Sequence, residues 1–301
     1  MKNTLIVLPG PTGVGKTEIA IDLAIHLGCE IISCDSRQFY REMHIGTAAP
    51  DEKQLARVRH HFVGFLSVKD YYSISLFERD VLALLPDLFS KCPVAVMTGG
   101  SMLYMDAVCR GMDDIPDTDP AVRQKFIEMY RKEGIGGLRI ALKLLDPDHY
   151  AKVDLHNPRR VMRALEISES TGRPYSSFLT LPQRERDFRM IKAGLTLDRS
   201  DLFNRIDQRV DMMIETGLEQ EAASLLKFRE LNALNTVGYR EMFKFFDGEI
   251  TREQAVALIK RNTHRYARRQ LTWWNRDKEI QWFDAGNSRM IRTWIDNQLG
   301  N

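Results

Sequence analysis

No stretch of this 301-residue chain approaches the ~20 consecutive apolar residues that a membrane helix requires, so no membrane association is expected. The N-terminal apolar run is short and leads directly into a glycine-rich loop, unlike a secretory leader. Cysteine is scarce. Cys29, Cys34, Cys92 and Cys109 form no C-x-x-C pair and no zinc spacing, which argues against a zinc module or a disulfide scaffold and for reduced core thiols in a cytoplasmic protein. An excess of either charge is also missing: 43 Lys and Arg face 41 Asp and Glu, a formal net charge of +2. That balance excludes a globally basic nucleic-acid coat but leaves room for a local basic groove. Internal repeats and low-complexity tracts are absent, and no obligate protein partner is implied.

What is present begins with "LIVLPGPTGVGKTEIA". Gly10, Pro11, Thr12, Gly13, Val14, Gly15, Lys16 and Thr17 match the phosphate-binding P-loop in full. An apolar, β-branched run precedes them, and Ile19, Ala20, Leu23, Ala24 and Leu27 follow at helical spacing. In a strand–loop–helix of this kind, loop N–H groups and the helix N-terminus converge on an anion. Lys16 adds a point charge, and the Thr17 hydroxyl is placed to ligate Mg²⁺. A phosphate or nucleotide site, such as an ATP site, is therefore expected; its occupant is left open.

The first ~110 residues alternate strand and helix, the mark of a doubly wound α/β domain. "EIISCD" reads as a strand ending in a carboxylate, and "PVAVMTGGS" as a buried strand running into a Gly-Gly turn. Between them "SLFERDVLALLPDLF" reads as a helix with a Ser75/Glu78 capping box, kinked or broken at Pro86. A shift to Asp and Pro at residues 111–120 looks like a boundary. Helical periodicity then runs to about Thr171, interrupted by "GIGG" and "DPDHY", before "MIKAGLTL" returns to strand character. The expected architecture is a P-loop NTPase-like parallel sheet core with a helical insertion domain and a C-terminal helical region. Its parts are core residues 1–115, insertion residues 116–187, and residues 188–301 returning to the core and adding basic helices.

Two further absences bear on the loop's ligand. A P-loop ATPase or GTPase normally ends a second strand in an Asp that holds the Mg²⁺ shell, but "VAVM" runs into Thr98-Gly99-Gly100-Ser101; no NKxD-type guanine reader occurs either. The strand-end acid near the loop is Asp35, in "DSRQFY". A carboxylate there is a turn residue, a Mg²⁺ ligand, or a base that takes a proton from a nucleophile. Farther on, "KRNTHRYARRQLTWW" carries Lys260, Arg261, Arg265, Arg268 and Arg269 without one acid, interleaved with Tyr266, Trp273 and Trp274. Phosphate contacts beside stacking surfaces are what RNA recognition uses, although a single charge run is more often a solvated face. A second basic patch holds Arg123, Lys125, Arg159, Arg160 and Arg163. His60-His61 is not read as a metal site, since adjacent side chains diverge and no Cys or acid stands at ligand spacing. Thr251 and Gln254 mark a helix start.

In order, "GPTGVGKT", "DSRQFY", "TGGSMLY", "NPRRVMRALE", "RIDQRVDMMIETGL", "TVGYRE" and "RNTHRYARRQLTWW" resemble the tRNA dimethylallyltransferases (tRNA isopentenyltransferases) over nearly the whole chain. The resemblance implies transfer of a dimethylallyl group from dimethylallyl diphosphate to the N6 amine of the adenine just 3′ of the anticodon. It implies that the P-loop holds a leaving diphosphate with Mg²⁺ at Thr17, and that Arg209, or alternatively Arg205, joins the clamp. Asp35 becomes the base, with Ser101 holding the amine or the base in line. Asp35, Ser36, Arg37, Gln38 and Ser101 would line the adenine pocket. Arg123 and the run Arg159, Arg160, Val161, Met162 and Arg163 would grip the anticodon arm. Gly99-Gly100-Ser101 departs from the family's Gly-Gly-Thr but keeps a hydroxyl, and Thr98 stands where an apolar residue is usual. The zinc-finger extension of eukaryotic relatives does not occur in this sequence, as in the bacterial type. The remaining alternatives are a free-nucleotide prenyltransferase, a small-molecule P-loop kinase, and a nucleotide-gated RNA-binding protein without catalysis.

Overall fold

The computed structural model of the chain describes residues 2–113, 115, 116, 118–180 and 184–300. Two compact units emerge: Met1–Cys109 with Glu185–Asn301, and Arg110–Arg184. The Asp- and Pro-rich stretch read as a boundary includes Asp114 and Asp117, which lie outside the described residues.

The first unit is an α/β layer structure. Its chain runs β1 (Thr4–Pro9), α1 (Lys16–Leu27), β2 (Ile31–Ser33), α2 (Glu52–Arg57), β3 (His60–His61), α3 (Ile74–Lys91), β4 (Val94–Gly99) and α4 (Met102–Arg110). The second unit follows with α5 (Pro120–Leu145), α6 (Pro147–Tyr150) and α7 (Pro158–Thr171). The first then resumes with β5 (Arg189–Thr196), α8 (Arg199–Glu215), α9 (Leu218–Leu225), α10 (Tyr239–Phe246), α11 (Arg252–Trp274), β6 (Gln281–Asp284) and α12 (Ser288–Leu299). The strands form one parallel sheet in the order β3-β2-β4-β1-β5-β6. β1 lies at its centre because both its faces are apolar. Leu5 and Val7 face one core cluster with residues of α3, α4, α10 and α11, while Ile6 and Leu8 face another with residues of α1, α8 and α12. Each of these four side chains is at most 1 % exposed, a burial worth roughly 1.5–3 kcal/mol apiece.

Five readings of the sequence change. Helix α3 starts earlier than expected: Ser73 caps it by accepting from Leu76 N–H. Glu78 is instead buried against Arg186, at 2.6 Å. Pro86 does not break α3, which continues to Lys91. The short edge strands β3 and β6 carry too little periodic pattern to be read, and helix α12, whose Ile291, Ile295 and Leu299 do fall at helical spacing, is an addition to the reading. "DPDHY" is itself a helical turn, α6, capped by Asp146.

In the second unit, α5 is bent at Gly134, whose φ is 65°. Phe126, Leu138, Leu142, Val161, Ala164 and Leu165 form its core. Buried Asp146 accepts from His149 N–H, Ser176 N–H and Ser176 Oγ–H. Burial opposes its charge, yet these donors hold its pKa below the usual carboxylate value. The two ends of the unit meet where Arg184 N–H donates to the Arg110 carbonyl, at 3.0 Å.

Candidate active site

The P-loop turns through Gly13 (φ 84°) and Gly15 (φ 97°), conformations that side-chain-bearing residues rarely adopt. Gly15 caps α1 without any side-chain hydrogen bond, so no side chain competes for the helix's first N–H groups. Lys16 is half-buried, with its ammonium drawn onto the carbonyls of Gly10 (2.8 Å) and Pro11 (2.9 Å). Burial pulls its pKa down to about 7, against Asp35, which raises it, while Arg209 lowers it further. A recess of about 90 Å³ opens here, lined by Lys16, Thr17, Ser33, Asp35, Gln38 and Thr98 among others. Thr98 donates its hydroxyl to the Leu8 carbonyl (3.3 Å), tying β4 to β1 where the usual apolar residue would make no such bond.

Asp35 stands two residues beyond β2, in a turn that its own carboxylate closes: Oδ1 accepts from Arg37 N–H at 3.1 Å. Among the described residues no hydrogen bond involves Oδ2. Ser101 is buried and reaches Asp35 only through its neighbour, accepting from Ser36 N–H (2.8 Å) and donating to Ser36 Oγ (3.0 Å). Arg209 projects from α8, with its guanidinium 3.4 Å from both Thr12 Oγ1 and the Thr47 carbonyl. Burial lowers its pKa and Asp35 raises it, but a guanidinium remains charged. Arg205, the alternative, lies 3.4 Å from the Val14 carbonyl of the loop and lines neither cavity.

A larger cavity of about 350 Å³ adjoins the recess, within the roughly 300–1,000 Å³ usual for small-molecule sites. Ile206, Val210, Met213, Val237 and Ile259 give it an apolar wall; Arg37, Arg240 and Arg269 supply positive charge. Thr12, Asp35 and Arg209 line both cavities, so the two meet at these residues.

The IPP transferase family matches residues 38–277. A tRNA dimethylallyltransferase 1 of Phocaeicola vulgatus is 52 % identical over 98 % of both chains. A tRNA dimethylallyltransferase 2 of Porphyromonas gingivalis is 56 % identical over 93 % of this chain and 94 % of its own. The chain belongs to the IPP transferase family. Among solved structures, the full-length tRNA isopentenylpyrophosphate transferase of Bacillus halodurans superposes with a TM-score of 0.72 at 34 % identity, covering 99 % of this chain and 97 % of that one. A eukaryotic dimethylallyltransferase acting on tRNA shares the fold, with a TM-score of 0.77 at 24 % identity over 94 % of this chain and 74 % of its own.

Not every residue carried over from the family resemblance is positioned to touch a ligand. Gln38 lines the recess rather than the larger cavity, and its amide donates to the carbonyls of Thr47 (3.2 Å) and Ala48 (3.1 Å) instead of being turned to a base edge. Val161 is fully buried in the insertion's core, so its side chain is corrected from an RNA contact to a core residue, while Met162 is partly buried beside it. Arg159 and Arg160 are exposed. Arg123 and Arg163 lie 3.9 and 3.7 Å from buried Glu166, which partly neutralises that patch. The α11 aromatics divide. Tyr266 lines the larger cavity and donates to the Gly100 carbonyl (3.0 Å), its hydroxyl pKa raised by burial and then by Asp35. Trp274 is core, and Trp273 donates to Asp106, so the expected stacking role fails for Trp274 because its ring is spent on packing. Lys260 pairs with Asp211 of α8, an acid invisible in the basic run itself.

One organising residue was missed. Gln270 is fully buried, accepts from Thr12 N–H at 2.9 Å and donates to the Gly100 carbonyl at 2.7 Å. It ties α11 to the P-loop and to the Gly-Gly turn at once. Its only signal in sequence is an uncharged polar residue within a basic helix.

Proposed function

We propose that this chain transfers the dimethylallyl group of dimethylallyl diphosphate to the N6 amine of the adenine 3′-adjacent to the anticodon of tRNA, releasing diphosphate. The observation that carries the reading is the shared border of Thr12, Asp35 and Arg209 between a P-loop recess and a larger, partly apolar cavity. A diphosphate over the P-loop N–H groups directs its allylic carbon toward that border, and an adenine drawn out of its stack fills the cavity. As the N6–C1 bond forms, the C1–O bond breaks and its electron pair leaves with the diphosphate. The amine's proton passes to Oδ2 of Asp35. Lys16 and Arg209 meet the charge that develops on the leaving group. The names of relatives about half identical over nearly the full length support the same assignment.

Magnesium fits the recess. The Thr17 hydroxyl lines it beside Lys16, and Mg²⁺ at substrate phosphates fills most of its other positions with phosphate oxygens and water. Thr17 would hold it, and when bound it adds positive charge at the departing diphosphate. No helix among the described residues is long and apolar enough to cross a membrane, and the cytoplasm is the proposed location.

Mass spectrometry of unmodified tRNA incubated with the chain, dimethylallyl diphosphate and Mg²⁺ tests the assignment. One added dimethylallyl group at the adenine beside the anticodon is expected. Unmodified tRNA together with ATP turnover would replace the assignment with the kinase reading, and prenylation of free nucleotide alone would replace it with the free-nucleotide one.

A further inference from the structure

Glu221 lines neither cavity, yet its carboxylate collects four hydrogen bonds. Oε2 accepts from the backbone N–H groups of His44 (2.9 Å) and Ile45 (2.7 Å). Oε1 accepts from Gly46 N–H (2.8 Å) and from the Tyr239 hydroxyl (2.6 Å). Successive backbone N–H groups converging on one anion form a nest, and here α9 supplies the anion from within the protein. Tyr239 is fully buried, and burial followed by the Glu221 charge raises the pKa of its hydroxyl, which keeps it a donor. Gly46 lies so close to the Tyr239 ring that a Cβ there would stand 2.7 Å from it.

The gathered loop is the one that brings Gly46 and Thr47 to the larger cavity. Its next residue, Ala48, has φ 44°, a conformation that costs free energy in a residue with a side chain and must be held by its surroundings. The Thr47 carbonyl accepts from Gln38 (3.2 Å) and lies 3.4 Å from the Arg209 guanidinium. A carboxylate on α9 is thereby linked, through one loop, to the cation at the junction of the two cavities.

We infer that Glu221 is a positioning residue for the transfer: by fixing residues 44–48 it holds Arg209 in register with the P-loop. The inference rests on the reaction proposed above. Gln at this position keeps the size but leaves one good acceptor oxygen for four donors. Glu221→Gln should raise KM for dimethylallyl diphosphate at least about tenfold, with a folded far-UV spectrum at the assay temperature. Arg209→Lys keeps the charge but removes the fork that spans Thr12 and Thr47. In that background Glu221→Gln should change KM for the donor less than threefold, the non-additivity of residues acting through one contact. An unmoved KM in Glu221→Gln, or the same tenfold effect in both backgrounds, overturns the inference. Should Glu221→Gln not fold, Glu221→Asp, which keeps the charge one methylene short, takes its place with the same readings. Pyrophosphate affinity by calorimetry repeats the comparison without tRNA. A wild-type chain that transfers nothing overturns the reaction, while unchanged pyrophosphate affinity across the variants overturns only the role of Glu221.

Discussion

The two cavities that meet at Asp35 are built in opposite ways. Thr12, Gly13, Gly15, Lys16 and Thr17 of the recess come from one short run, folded by its own glycines and the start of one helix. The larger cavity is assembled from segments as far apart as Thr12 and Arg269, none of which forms a pocket alone. The anion-binding turn is thus a local feature of this chain, while the walls of the recess around it and the whole of the larger cavity come from distant segments. Damage to the recess should appear as lost diphosphate affinity, and loss of the Asp35 carboxylate at the border as lost turnover.

Asp35→Asn is the severest test of that division, because Asp35 borders both cavities. The amide keeps the shape but cannot take the proton, so single-turnover transfer with both substrates saturating should slow on the order of 10²–10⁴-fold. Binding of tRNA and of pyrophosphate should change little, and wild-type rates would remove Asp35 from the reaction. Gln270→Leu asks whether the two cavities are mechanically separate. The substitution strips a partner from Thr12 N–H and from the Gly100 carbonyl. Stability should fall by about 1–3 kcal/mol for a buried group left unpaired, read as a lower urea midpoint, together with weaker pyrophosphate binding. Normal pyrophosphate affinity in a destabilised variant would show that α11 does not shape the recess.

A milder effect is expected outside both cavities. Reversing exposed Arg159 and Arg160 to Glu should lower the salt dependence of tRNA binding by roughly one unit for each phosphate that an arginine no longer neutralises. Pyrophosphate affinity should not move, and an unchanged salt slope would make these arginines a solvated face. The smallest signal belongs to the recess alone. Lys16, drawn down to about 7 by burial, is largely neutral at pH 8 and regains its proton when an anion arrives. Its contribution to pyrophosphate affinity is complete below about pH 7 and declines above it. Calorimetry in two buffers of different ionisation enthalpy should therefore find proton uptake at pH 8 that is absent at pH 6. Lys16→Arg, always charged, should abolish the uptake, and equal uptake in both proteins would refute the assignment.

The same division explains what could be read from the sequence. The P-loop, α1, β1, β4 and β5 were legible because each is written in contiguous residues, as glycine spacing or an unbroken apolar run. Asp35 was legible by its place after a strand. Glu221 and Gln270 were not, since each acts on partners far away in the chain (residues 44–46 for the first, Thr12 and Gly100 for the second). Val161 and Trp274 were misread for the converse reason. Val161 directly follows Arg159 and Arg160, and Trp274 closes a basic run, but a helix turns neighbours 100° apart, and these two face inward. Lys260 looked uncompensated until α8 brought Asp211 against it.

The meeting of Arg110 and Arg184 across one 3.0 Å hydrogen bond has an architectural consequence. A segment whose two ends touch is a cassette. Its removal leaves adjacent stumps that a turn of a few residues can rejoin, at a closure cost that grows only slowly with whatever length is spliced in. The core strands β4 and β5 flank β1 whatever lies between them in sequence, so the sheet does not depend on what the cassette contains. Such a joint lets the inserted unit be lengthened, trimmed or exchanged while the sheet of the core stays fixed.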